Sequence, residues 1–151
     1  MDNNSSAINY TFSIEKNDFS RAGQASSKLK KILMQLGIDS TITRRAAIAT
    51  YEAEMNIVIH SEGGAIIMQV NPELIAIYAE DRGPGIDDIE LAMHEGYSTA
   101  PDWIREMGFG AGMGLSNMKR CSDYFNIDTK KGAYTKVTMK FLLQGGVVDK
   151  N

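Results

Sequence analysis

One run, Gly108-Phe109-Gly110-Ala111-Gly112-Met113-Gly114, limits what this chain can fold into more than any other, because its glycines fall at alternate positions. Glycine at that density does not suit a helix interior, where each one costs roughly 1 kcal/mol relative to alanine. It does not suit a packed strand either, since the skipped positions leave no side chains to bury. What such a run does well is let backbone N–H groups approach a bulky anion closely. The residues that follow, Leu115-Ser116-Asn117-Met118-Lys119-Arg120, are expected to be helical. Their unpaired amides and the positive end of their dipole would aim at the same point. The run is expected to be a phosphate-gripping loop, with the rest of the chain as its support.

Three well-known glycine loops do not match. A Walker A loop requires Gly-Lys-Ser/Thr, and the chain has no Gly-Lys pair. A dinucleotide fingerprint begun at Gly108, Gly110 or Gly112 meets Met113, Leu115 or Asn117 where its last glycine belongs, and the protein-kinase glycine loop fails with it. The plain alternative is a flexible linker. Linkers, however, bring serine and polar residues rather than Phe109, Met113 and Leu115.

At 151 residues the chain has the length of one domain with a real core, and 43% hydrophobic with 23% charged residues is a globular balance. A net charge of −3 with no basic stripe argues against nucleic acid as a partner. The single cysteine, Cys121, leaves no internal disulfide, suits a reducing compartment and is expected to pack on an apolar helical face. The polar N-terminus carries no apolar signal segment, and no apolar run approaches membrane-spanning length. The expected compartment is the cytoplasm. One domain is expected over 1–151, with flexible tails at 1–6 and 144–151.

Alternation of Ile8, Tyr10, Phe12 and Ile14 with polar residues predicts a half-buried strand. Helix-start chemistry at Asn17-Asp18-Phe19-Ser20, then Ala25, Leu29, Ile32, Leu33 and Leu36, predicts a helix stopped by Gly37. Asp39 or Ser40 is expected to cap a longer helix to about His60, with Ile42, Ala46, Ala49, Ala53, Ile57 and Val58 inward. Two strands, 65–70 and 74–80, should form a hairpin around Asn71-Pro72-Glu73, ended by Asp81-Arg82-Gly83-Pro84-Gly85. A short helix is expected from Asp87 to about His94, and irregular structure over 95–107. A helix should follow the glycine run as far as Tyr124, and a last hairpin should join 125–129 to 134–143. The fold class that follows is an α/β (α+β) two-layer sandwich: a mixed, mostly antiparallel sheet with helices on one face. The strand over 8–14 could lie at a sheet edge and pair with a second copy of the chain.

Glu52 and Asn56 stand one helical turn apart and project from one face, which His60 continues. Asn56 offers a neutral oxygen to a hard cation that keeps most of its water. Glu52 can orient or deprotonate a nucleophile. The plain alternative is a solvated helix face, and Glu54, on another face, is expected at the surface. Asp81 follows an apolar strand and precedes Gly83 and Gly85, so its carboxylate can accept from an exocyclic amine such as adenine's; the alternative is an ordinary turn.

Glu52-x-x-x-Asn56, then Asp81-x-Gly83-x-Gly85, then the glycine run resemble in order and spacing the N, G1 and G2 boxes of the GHKL (Bergerat-fold) ATPases, a superfamily that includes gyrase, Hsp90, MutL and the histidine-kinase catalytic domain. The resemblance implies ATP and Mg²⁺ as cofactors, Asn56 as the metal ligand, Asp81 as the reader of adenine, and a lid over 95–110. Residues 49–60 look like the corresponding helix of the bacterial anti-sigma-factor serine kinases, and 79–86, Gly96-Tyr97-Ser98-Thr99 and Gly110-Ala111-Gly112 most resemble the stressosome switch kinase. By that resemblance Glu52 is the base for a serine or threonine hydroxyl on a small STAS-domain protein. Nucleotide contacts fall to Asn56, Asp81, Gly83, Gly85, Ile86, Ser98, Thr99, Gly108, Gly110, Ala111, Gly112, Met113, Gly114, Leu115 and Thr135. Two departures from the pattern stand out: Tyr134 replaces an expected glycine before Thr135, and 101–107 is an insertion in the lid. Lys119 and Arg120 are further candidates for contacting phosphate.

The implied activity is an ATP- and Mg-dependent protein serine/threonine kinase, with a sigma factor or a phosphatase as additional partners. Alternatives are a nucleotide-gated anti-sigma-like binding module without phosphotransfer and a histidine-kinase-type catalytic domain acting in trans. A plain ATPase of the gyrase or MutL kind would need a transducer domain that this length does not accommodate.

Overall fold

The structure, a computed structural model, describes residues 7–94 and 114–143. In chain order the elements are β1 (Ile8–Ile14), a 3₁₀ turn (Phe19–Arg21), α1 (Gln24–Gln35), α2 (Ser40–His60), β2 (Gly64–Val70), β3 (Leu74–Arg82), α3 (Ile89–Met93), α4 (Gly114–Cys121), β4 (Tyr124–Lys130) and β5 (Tyr134–Leu142). The strands form one sheet in the order β1-β2-β3-β5-β4, with β1 and β4 at its edges. Every neighbouring pair is antiparallel, so among the described residues the sheet is wholly antiparallel rather than mixed.

Strand periodicity decides which face is buried. Ile66, Met68, Ile75, Ile77, Met139 and Phe141 are fully buried and share the core with Leu29, Leu33, Ala46, Ala49, Ile57 and Met118 of the helices. The opposite face carries Tyr78, Lys136, Tyr124 and Lys140, two lysine–aromatic pairs with the ammonium groups 5.2 and 5.1 Å from the ring centres. α2 packs against α1, α4 and the sheet, and its alanines allow close approach. Among the described residues no helix is long and apolar enough to cross a membrane.

α2 begins where its cap predicts: the Asp39 carboxylate accepts from the N–H groups of Thr41 and Ile42. α1 does not. The polar cluster at Asn17–Ser20 makes only the 3₁₀ turn, and α1 begins at Gln24, after Gly23 at φ 93°. Gly23 has no side chain to cap α1, so the acceptor for the free amides comes from α2. The Glu54 carboxylate, 2% exposed and not at the surface as expected, accepts from the N–H groups of Gly23, Ala25 and Ser26 at 3.1 to 3.2 Å. It satisfies a helix start and meets the positive end of the α1 dipole. Glu54→Ala leaves these donors without their acceptor and should lower the unfolding free energy by about 3 kcal/mol in a urea titration. Glu54→Gln, which keeps an acceptor oxygen, should cost about half as much.

The helix after the glycine run also ends earlier than expected. α4 stops at Cys121, whose carbonyl accepts from Arg45 Nε at 2.8 Å, while Arg45 pairs with Asp123 at 3.0 Å. Tyr124 is already in β4, opposite Lys140 of β5.

Candidate functional site

At one end of the sheet a register line sets three polar residues side by side. Asp81 of β3 lies opposite Thr135 of β5, and Thr135 lies opposite Thr129 of β4. They share the face that carries Ala79, Ile77 and Val137 into the core, so they open beneath the helical layer. Asp81 is inside β3, which runs to Arg82, rather than in the turn that follows.

The hydrogen bonds here assign each donor. Asp81 Oδ1 accepts from the Thr135 N–H at 3.2 Å. Thr129 Oγ1 accepts from the Ile86 N–H at 2.9 Å and donates to the Tyr134 carbonyl at 3.0 Å. Its single hydrogen is thereby used, so the 3.0 Å contact between the two threonine hydroxyls has Thr135 donating. Thr135, 8% exposed, and Asp81 therefore turn acceptors toward any ligand. Burial pushes the Asp81 carboxyl above the ordinary carboxylate range, and the bond from Thr135 only partly opposes it.

The turn after β3 is bound to the β4–β5 turn: the Gly83 N–H donates to the Ala133 carbonyl at 3.2 Å, and the Gly132 N–H to the Pro84 carbonyl at 2.7 Å. Gly85 has φ 75°, and a Cβ there would stand 2.6 Å from the Lys130 carbonyl oxygen. No side chain fits at Gly85 without moving that backbone.

The second wall is α2 facing α4. A Cβ on Gly114 would come 3.2 Å from Asn56 Oδ1, so the first described residue of α4 leaves room for the Asn56 carboxamide. Among the described residues that carboxamide enters no hydrogen bond. One turn earlier Glu52 Oε2 accepts from Asn117 Nδ2 at 2.6 Å, and Asn117 Oδ1 accepts in turn from the Arg120 guanidinium. Leu115 is buried in the core, so any ligand contact from it is through its backbone.

Asn56, Asp81, Gly83, Gly85, Ile86, Gly114, Thr135 and Glu52 thus fall into two groups, one at the β3–β5 end and one between α2 and α4. Ser98, Thr99, Gly108, Gly110, Ala111, Gly112 and Met113 lie outside the described residues, as do the expected lid and its insertion. The hydroxyl of Thr129 and the side chain of Asn117 were not expected to take part. Thr129 could have been found from the hairpin register, whereas nothing local marks Asn117. A separate cleft of about 240 Å³, lined by Phe12, Asp18, Arg21, Gln24 and Lys28 among others, lies between β1 and α1 and includes none of the expected nucleotide contacts.

Comparison with known proteins bears on what such an arrangement holds. Residues 41–145 match the model of the histidine kinase-, DNA gyrase B- and HSP90-like ATPases. The chain is 30% identical over 146 residues to an anti-sigma F factor of Clostridium beijerinckii, covering 93% of this chain and 95% of the relative. It is 32% identical over 112 residues to the serine/threonine-protein kinase RsbT of Bacillus subtilis, covering 72% of this chain and 78% of the relative. A crystal structure of RsbU and RsbW domains from Mycobacterium tuberculosis has the same fold over 90% of this chain and 32% of that one, with a TM-score of 0.62 at 16% identity.

Proposed function

The chain belongs to the histidine kinase-, DNA gyrase B- and HSP90-like ATPase family, and on that premise we propose that it is an ATP- and magnesium-dependent serine/threonine kinase acting on a small STAS-domain protein. The observation that carries this reading is the pairing of Glu52 with Asn56. A carboxylate held by Asn117 stands one turn from a carboxamide that faces Gly114, the last glycine of the expected phosphate loop. Kinship with a relative named as a serine/threonine kinase supports the same reading.

The residues fit the cofactors. Asn56 would hold Mg²⁺ by its amide oxygen, a neutral hard donor suited to that ion. When bound, the ion supplies charge neutralisation at the phosphates. Asp81 and Thr135, both presenting acceptors, suit the exocyclic amine of adenine and disfavour the carbonyl that guanine carries at that position. Glu52 takes the proton of the attacking hydroxyl. Ile86, held by the Thr129 hydroxyl, and Gly85, set against the Lys130 carbonyl of β4, keep the base end of the site in place.

The test is transfer of label from [γ-³²P]ATP with Mg²⁺ to small STAS-domain proteins encoded in the same genome. Acid-stable phosphoserine or phosphothreonine on one of them is the expected result. No label on any, or acid-labile phosphohistidine, overturns the reading. A second reading, a nucleotide-gated binder of a sigma factor without phosphotransfer, is favoured by kinship with the anti-sigma F factor. A stable complex in which Glu52 is dispensable would identify it.

A further inference from the structure

We propose that Asn117 is a positioning residue that keeps Glu52 available as a base by standing between its carboxylate and the Arg120 guanidinium; this rests on the kinase reading above. The contacts are the Glu52 Oε2 bond from Asn117 Nδ2 at 2.6 Å and the bond from the Arg120 guanidinium to Asn117 Oδ1. A carboxylate only accepts and a guanidinium only donates, so the amide has one orientation that satisfies both neighbours. Asn117 and Arg120 lie three residues apart on α4 and share a face, while Glu52 reaches them from α2.

Without the amide, the guanidinium that now donates to Asn117 Oδ1 is a charged donor which Glu52 can accept from in its place. Arginine and carboxylate pair in a two-pronged fashion that engages both oxygens. A base tied up that way has no lone pair directed at an incoming hydroxyl. The amide instead occupies Oε2 with a neutral donor, and among the described residues Oε1 accepts no hydrogen bond. In the transfer step the substrate oxygen bonds to the γ-phosphorus as the bond from that phosphorus to the β–γ bridging oxygen breaks. The hydroxyl proton passes to Glu52, and ADP leaves with the bridging oxygen. Asn117 touches none of the reacting atoms and acts only through Glu52.

Three measurements test this. In the nucleotide-free protein, ¹⁵N NMR should show the Asn117 side-chain amide signals moving on Glu52→Gln; signals that stay in place refute the contact. With the STAS-domain protein that accepts label above, Asn117→Leu should lower kcat about 30-fold or more with the KM for ATP within about twofold. Asn117→Leu combined with Arg120→Leu should recover at least about threefold over Asn117→Leu alone, since the competing cation is gone. A merely structural asparagine predicts no such recovery. The proposal is overturned if Asn117→Leu keeps kcat within about threefold of the parent, if KM rises as kcat falls, or if the double variant is no better than the single. Failure of the parent protein to label any STAS-domain protein instead overturns the kinase reading, and this inference falls with it.

Discussion

Glu52→Gln should lower phosphotransfer about 10²–10⁴-fold, the usual contribution of a positioned general base, while Mg-ATP still binds with an affinity within about twofold of the parent. Glutamine preserves the shape of the side chain and an oxygen to accept from Asn117, so the contact between α2 and α4 survives. What is lost is the capacity to take a proton. Transfer rate and nucleotide affinity should therefore separate, the pattern expected of a residue that acts only in the transition state. The measurement is single-turnover labelling of the STAS-domain partner beside equilibrium titration with a fluorescent ATP analogue. Equal transfer by both proteins would remove Glu52 from the chemistry and favour the anti-sigma-like binding reading.

Asp81→Asn should weaken ATP binding at least about a hundredfold, because the amide sets a donor against the adenine amine where the carboxylate set an acceptor. The fold should not suffer. The carboxamide oxygen of the variant can still accept from the Thr135 N–H, as the Asp81 carboxylate does, and keep β3 and β5 in register. Stability should in fact rise slightly near neutral pH. Burial raises the folded-state pKa of Asp81, so ionisation costs the native state more than the unfolded chain. That penalty sets in as pH rises through the ordinary carboxylate range, reaches its full size above the raised folded value, and is absent in acid. Asparagine removes it, so the variant should melt slightly higher than the parent at about pH 7, and the two should converge as the carboxyl protonates. Thermal melts across pH without nucleotide, beside ATP titrations at neutral pH, check both halves. A variant that binds ATP normally would show that Asp81 does not read the base.

How far the sequence announces all this depends on the range of the interaction. The strand alternation at Ile8, Tyr10, Phe12 and Ile14, the Asp39 cap and the Gly37 stop are local, and each element forms where its own residues direct. The start of α1 misleads because Asn17, Asp18 and Ser20 have the right chemistry but Gly23, in the left-handed region, interrupts the helix they would open. A helix beginning at a residue without a capping side chain needs an acceptor from elsewhere. That need was the available clue to Glu54, 31 residues from Gly23 and buried against expectation. The early end of α4 has the same origin: cross-strand pairing with Lys140 recruits Tyr124 into β4.

The site divides along the same line. Asp81, Gly83 and Gly85 follow one another closely, and their chemistry is visible in a few residues. Thr135 joins them through strand pairing across 54 residues, and its place beside Asp81 came from resemblance rather than from anything local. Asn117 meets Glu52 across 65 residues, and an asparagine among polar helical neighbours looks like any solvated position. Only the packing of α4 on α2 brings it to Glu52.

The claim beneath the rest is that ATP binds between the Asp81–Thr135 end of the sheet and the Glu52–Asn56 face of α2. Titration of ¹⁵N-labelled protein with Mg-ATP tests it most directly. Shifts centred on Asn56, Asp81, Gly85, Ile86 and Thr135, with the cleft residues Arg21, Gln24 and Lys28 unmoved, are the predicted result. Saturable shifts confined to that cleft, or no saturable shifts at all, would contradict it.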